Sequence, residues 1–318
     1  MASIFTGRLM VGVLAVRSPW VLAILAGLAS NARASEVITL EPSSAWSLNY
    51  ANQSCRLMSV FGHGKNESVM LIEQFEPGER FAMTLAGRPF SFARRLQNRI
   101  SEGQVVKENA PISLRFGANK AFKRTAMIGT LGKWAPALIF RNKLAISPEN
   151  FDYDKGGTVP PYSMHYTREE EAAVDRLSLG YDGDDRVVLV TGSMGDAFSA
   201  LDDCTERLVS SWGLDPQRVR SQRSPPTALN EGEWLTDADY PRNAIKGLQE
   251  GLLYVRVIVD KEGIATSCAI QSGASIEQFR ELVCDAIIKR ARFDPAIDAD
   301  GSPFASYHTS LVLFKLSD

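Results

Sequence analysis

Histidine is scarce in this chain. The 318 residues hold only His63, His165 and His308, and none sits at metal-ligand spacing. Only four cysteines occur and no two form a C-x-x-C pair, so a zinc site is not expected. Gly192-Ser193-Met194-Gly195 lacks the lysine of a phosphate loop and the third glycine of a dinucleotide turn. It reads as a tight strand-to-helix turn. His165 has Asp152, Asp154 and several serines near it in sequence, but no nucleophile elbow. Basic residues number 35 and acidic ones 37, so there is no basic footprint for nucleic acid. Catalysis, cofactors, metals and nucleic-acid partners are therefore not expected.

Long apolar runs are also missing beyond the N-terminus. There, Arg8 and Arg17 precede the apolar stretch Val21 to Ala29, and Ala32-Arg33-Ala34 is a small-x-small pattern. This predicts a secretory signal peptide over residues 1–34, cut after Ala34, and a periplasmic protein. Removing those residues, which hold three arginines and no acids, takes the formal charge from −2 to −5. The alternative is an uncleaved inner-membrane anchor facing the periplasm. Met10 to Ala29 is nearly long enough to span a bilayer, but Arg17, Ser18 and Pro19 interrupt it. Membrane contact is expected through this segment alone, if it stays.

Residues 35–212 read as a β-rich domain ending in a helix. Arg56 to Phe61, Val69 to Phe75, Phe81 to Leu85, Ile112 to Phe116, Thr125 to Gly129, Ala137 to Arg141 and Arg186 to Thr191 are strand-like. Glu76-Pro77-Gly78 is a turn, and Thr158 to His165 a proline-containing loop. Phe90 and Phe92 are read as packing, Arg94-Arg95 and Lys123-Arg124 as surface charge, and Arg168 to Glu171 as a solvated helix start. Asp196 to Trp212 has Leu201, Cys204, Leu208 and Trp212 along one stripe, with Asp196 as N-cap and Gly213 as C-terminal cap. Residues 213–233, rich in Pro, Ser, Arg and Gln, read as a linker.

Residues 234–318 carry the clearest pattern. Leu253, Val255, Val257 and Val259 alternate with Tyr254, Arg256, Ile258 and Asp260, which is strand periodicity. Asp260 to Gly263 is a turn, and Ile264, Thr266, Cys268 and Ile270 repeat the alternation. After a polar break at Ser272 to Ser275, Ile276 to Ala291 shows helical spacing that Asp294-Pro295 ends. Leu311 to Leu316 is a final strand, and Arg242 to Leu248 a short helix ahead of the first strand. The fold class is α+β, with the C-terminal domain a helix packed on a short antiparallel sheet in the order β-β-α-β. Four cysteines allow three pairings. Cys268 lies on the strand face that the helix bearing Cys284 should cover, so Cys268 pairs with Cys284 and Cys55 with Cys204. The alternative is four buried thiols.

Six short motifs stand in order in this segment: Tyr240-Pro241, Gly251, Asp260 to Gly263, Ser272-Gly273, Phe293 to Ala296 and Asp300-Gly301. With them, about a quarter of the chain resembles the C-terminal domain of the TonB family of energy transducers. The N-terminal half resembles a group of envelope proteins of no known activity, through Trp46, Cys55, Phe61-Gly62, Leu201, Cys204 and Trp212-Gly213. The TonB resemblance implies an open sheet edge that pairs with an extended peptide of an outer-membrane receptor or other envelope protein, in transmembrane transport. It makes Ser310 to Leu316 that edge, with Ser310, Leu311, Val312, Leu313 and Phe314 pairing and Tyr240 and Pro241 flanking the groove. The chain departs from a full transducer in lacking a long Pro-rich span. About twenty linker residues reach only roughly 70 Å, so coupling to the proton-motive force is not expected. The second reading is a structural envelope protein that uses the same fold to form a homodimer.

Overall fold

Short alternating runs build most of the protein. The computed structural model describes residues 36–93, 100–101, 104–105, 111–147, 166–181 and 184–316. The signal-peptide reading, Arg94-Arg95, Asp152, Asp154 and the 158–165 loop with His165 lie outside the described residues. Residues Glu36–Asp318 cluster as one compact unit.

In chain order the N-terminal part contains β1 (Ile38–Leu40), β2 (Ser47–Tyr50), β3 (Cys55–Phe61), β4 (Ser68–Gln74), β5 (Phe81–Gly87), β6 (Ile100–Ser101), β7 (Gln104–Val105), β8 (Pro111–Phe116), β9 (Phe122–Thr125), β10 (Met127–Leu131) and β11 (Trp134–Leu144). Helix α1 (Arg168–Ala172), β12 (Arg176–Tyr181), β13 (Asp184–Val190) and α2 (Gly195–Ser211) complete it. Two larger sheets result, of order β1-β13-β12-β8-β9 and β10-β11-β5-β4-β3-β2. The strand expected over Thr125 to Gly129 is two, β9 and β10, broken at Ala126.

Both sheets and α2 contribute to one core. Leu57, Ile72, Met83 and Leu85 come from one sheet, Leu114, Leu177 and Leu189 from the other, and Phe198 and Leu201 from the helix. Phe90 is buried in it, and Phe92 stacks on Tyr181. Trp46 packs edge-on against Phe61 and donates its indole N–H to the Thr191 carbonyl. Met194, not Asp196, holds the N-cap position of α2, two residues earlier than expected and just past the Gly192 turn. Asp196 sits in the first turn, where its charge still meets the positive end of the helix dipole. At the other end Gly213 takes φ +81 and its N–H reaches the Ser210 carbonyl. Cys55 and Cys204 lie at bonding distance with Cα atoms 6.1 Å apart, which ties β3 to α2.

The rest of the chain holds α3 (Pro216–Arg220), β14 (Thr227–Ala228), α4 (Arg242–Lys246), β15 (Gly251–Val259), β16 (Ala265–Ala274), α5 (Glu277–Arg290), β17 (Phe293–Asp294), β18 (Ala296–Ile297), β19 (Pro303–Phe304) and β20 (Ser306–Phe314). The principal sheet here has the order β16-β15-β20, antiparallel throughout. Leu253, Val255, Val257 and Val259 of β15 are buried with Phe279, Val283 and Ile287 of α5. Cys268 and Cys284, at bonding distance with Cα atoms 5.3 Å apart, join the sheet to that helix. The expected polar break at Ser272 is instead strand: β16 runs on to Ala274 and its register shifts opposite Tyr254 and Val255. The extra residue is Gln271; Gly273, two positions on, takes φ +151, where a Cβ would strike the Leu252 carbonyl. The last strand starts at Ser306, earlier than its apolar run suggests, because His308 and Ser310 are also strand residues.

The 213–233 segment carries α3 and β14, and β14 pairs with β17. Leu214 and Val219 join an apolar cluster with Val209, Ile258, Ala296, Phe304 and Tyr307. Arg218 grips Asp298 at 2.6 Å.

Candidate functional site

The three-stranded sheet has two outer strands, β16 and β20, and the site starts from the second of them. β15 lies between two neighbours, and β20 pairs with β15 from Ser306 opposite Val259 to Phe314 opposite Gly251. Among the described residues β20 has no strand on its other side. An edge strand offers unpaired backbone groups to another extended chain.

The two ends of β20 differ. Its first half is flanked by the 222–234 segment. Ser306 Oγ donates to Gln222 Oε1 at 3.1 Å, His308 Nδ1 lies 3.1 Å from the Pro226 carbonyl, and Ser310 Oγ donates to Glu231 Oε1. Buried Trp234 packs edge-on against His308 and against Phe293. Beyond Ser310 these contacts stop. Leu311 is 48% exposed and Leu313 60%. The terminal residue Phe314 turns inward and stacks on Phe279 with ring centroids 4.0 Å apart.

Tyr240 braces this open half. Its ring meets Phe279 and Phe314 edge-on, and its hydroxyl donates to the Gln249 carbonyl at 2.6 Å. Desolvation raises its hydroxyl pKa, with a further push from Glu250. Pro241 caps α4 with φ −62, which suits a helix start. The structure thus brings Tyr240, Pro241 and Leu311 to Phe314 to one end of the sheet, and sets Ser310 at the boundary of the flanked half. Sequence reasoning misses Pro226, Glu231 and Trp234. A tryptophan closing a polar stretch is the one signal that points to them.

The opposite face of the sheet meets the N-terminal part. Arg256 is buried, its guanidinium 3.9 Å from the Trp212 ring centroid, and it donates to Gln53 Oε1 at 2.8 Å. Burial lowers its pKa to about 10. Gln271 Nε2 donates to the Phe75 carbonyl, and Tyr307 packs edge-on against Trp212. Glu76 lies beside Thr309, and burial raises its pKa.

His308 makes the flanked half sensitive to acid. A carbonyl only accepts, so Nδ1 carries the proton toward Pro226 and Nε2 is left buried without a partner. Desolvation by burial lowers its pKa below the ordinary histidine value. A base whose folded pKa is depressed contributes stability above the unfolded value, and this is lost as pH falls. Through this group alone, thermal unfolding from about pH 7.5 to 5 should show a falling contribution to Tm, against which the raised carboxyl pKa values of Glu76 and Glu79 act in the opposite direction. His308→Phe should flatten that fall by several degrees relative to wild type. An unchanged slope would refute the assignment.

A helix laid over a three-stranded antiparallel sheet, with each outer strand paired on one side only, defines a small α+β module. Across this module, residues 236–316 match the family described as Gram-negative bacterial TonB protein C-terminal, and they form a TonB C-terminal domain. No curated protein and no solved structure matches the chain. The domain links the protein to envelope transport, and domains of this family are non-enzymatic transducers. Among the described residues no helix is long and apolar enough to cross a membrane.

Proposed function

We propose that this is a periplasmic TonB-like binding protein that engages an outer-membrane receptor or another envelope protein by strand pairing along β20. The observation that carries this is the open half of β20 from Leu311 to Phe314, next to Tyr240 and Pro241. Backbone groups there would supply affinity and the exposed leucines side-chain selectivity. The signal peptide is removed and both cysteine pairs are oxidised in that compartment. Residues 35–212 act as a rigid support, 213–233 connects it to 234–318, and no residue is catalytic.

The test uses extended peptides copied from the periplasm-facing segments of outer-membrane receptors, titrated against the full chain. Leu313→Lys, an exposed change that guards the edge with charge, should weaken a binding peptide at least about tenfold, or about 1.4 kcal/mol. It should leave Tm within about a degree of wild type, as surface substitutions do. Equal binding by the variant would overturn the reading. The second reading, a homodimer through the same edge, rests on β20 being free to pair antiparallel with a copy of itself. Mass in solution that rises with concentration, and no longer does in Leu313→Lys, would favour it.

A further inference from the structure

A second feature lies away from the sheet edge. A cavity of about 280 Å³ opens between the β4–β5 turn, α1 and α2, with Phe81, Ile146 and Phe198 among its apolar lining. Its polar wall holds Gln74, Glu79, Glu171, Asp202, Arg168 and Arg220. The guanidiniums are engaged. Arg168 bridges Glu171 at 2.8 Å and Asp202 at 3.2 Å, and Arg220 pairs with Glu206.

Two buried lining atoms have no hydrogen-bond partner, and both are acceptors. Gln74 is 3% exposed and its Nε2 donates to the Gly78 carbonyl at 2.7 Å, which fixes the amide and leaves Oε1 unsatisfied. Glu79 Oε1 is likewise buried and unpartnered. Such groups carry a desolvation cost that a donor would relieve. Three carboxyl groups line the wall against two guanidiniums, so the local balance favours positive charge. Aromatic faces beside it attract cations as well. Among the described residues no cluster of His, Cys, Asp and Glu is arranged to hold a metal ion.

We propose that this cavity binds a small organic cation, a primary ammonium on a short apolar body. Its N–H groups donate to Gln74 Oε1 and Glu79 Oε1, and its body lies against Phe81, Ile146 and Phe198. Desolvation raises the Glu79 pKa to about 7; the Tyr166 backbone opposes this, and Glu170, Glu171 and Asp202 add to it. A cation needs the ionised carboxylate, so binding releases protons near neutrality and tightens from about pH 6 to 8. Arg168 and Arg220 are the remaining charged groups on the wall; burial lowers the Arg168 pKa but Glu171 and Asp202 together raise it more, so it stays cationic throughout that range.

The probe is n-butylammonium chloride, titrated calorimetrically into the full chain, with n-butanol and butyrate as neutral and anionic counterparts. We expect saturable binding of the ammonium and at least tenfold weaker binding of the other two. Glu79→Gln, which keeps shape and removes charge, should cost at least tenfold and abolish the pH dependence. Gln74→Met should also cost tenfold, with circular dichroism showing both variants folded. In the wild-type protein, the Gln74 side-chain amide signal should shift on titration. No saturable binding, equal binding of butanol, or wild-type affinity in Glu79→Gln would each overturn the proposal.

Discussion

Replacing Cys55 and Cys204 together by alanine should lower the unfolding free energy of the oxidised protein by about 5 kcal/mol, the largest loss expected from any single link. The two residues are separated by 149 positions, so their bond closes most of the N-terminal part into one loop in the unfolded chain. In the chain-entropy account a loop of that length contributes about 5 kcal/mol, against about 3 kcal/mol for the 16-residue separation of Cys268 and Cys284. Both sulfurs of the longer link are also buried in the core between β3 and α2, so alanine leaves a small void there. Denaturant unfolding of the two double variants tests the ranking. A Cys268/Cys284 variant as damaged as the Cys55/Cys204 variant would show that loop length does not control the effect.

Trp234→Ala should cost about 3–5 kcal/mol, the range for truncating a fully buried aromatic. The side chain is almost wholly buried, against Phe293 and His308, and its indole N–H donates to Asn230 Oδ1 at 3.2 Å. It fastens the 222–234 segment to β20, so the loss should not spread evenly. Amide hydrogen exchange should accelerate at β20 from Ser306 to Ser310 and at β14, and change least in β3, β4 and β5. If binding along β20 is limited by the flanking segment, this variant should bind receptor peptides at least as well as wild type despite its lower stability. Uniform acceleration across both parts would mean that Trp234 stabilises the whole unit rather than this strand.

Much of the C-terminal domain was legible because its signals are local. Alternation in Leu253 to Val259 marks β15, the Asp260 to Gly263 turn marks the hairpin, and a stripe through Phe279, Val283 and Ile287 marks α5. In the N-terminal part β12 escaped this reasoning, although it lies at the centre of its sheet between β13 and β8. Leu177 and Leu179 do alternate with Ser178 and Gly180, but the run is short and its small residues are as buried as its leucines, so no polar face marks it as a strand. Gly180 also fits only in context, where a Cβ would collide with the Asp184 carbonyl at a register shift. The cysteine pairs could be reasoned from sequence because Cys204 and Cys268 sit on the apolar faces of their elements and Cys284 lies next to Val283 on α5.

The sequence by itself therefore determined the α+β class, the TonB-like character of the last eighty or so residues and the identity of the final strand. These depend on periodicities and turn residues that act within a few positions of one another. Only the tertiary structure decided which half of that strand is open and where the cavity near Glu79 lies. The contacts that flank β20 join Pro226 to His308 across 82 positions and Glu231 to Ser310 across 79. The cavity wall likewise joins Gln74 to Asp202 and Arg220. No local propensity encodes such pairings. They arise when packing of the two apolar cores brings distant polar groups together away from water, where each must find a partner or remain unsatisfied.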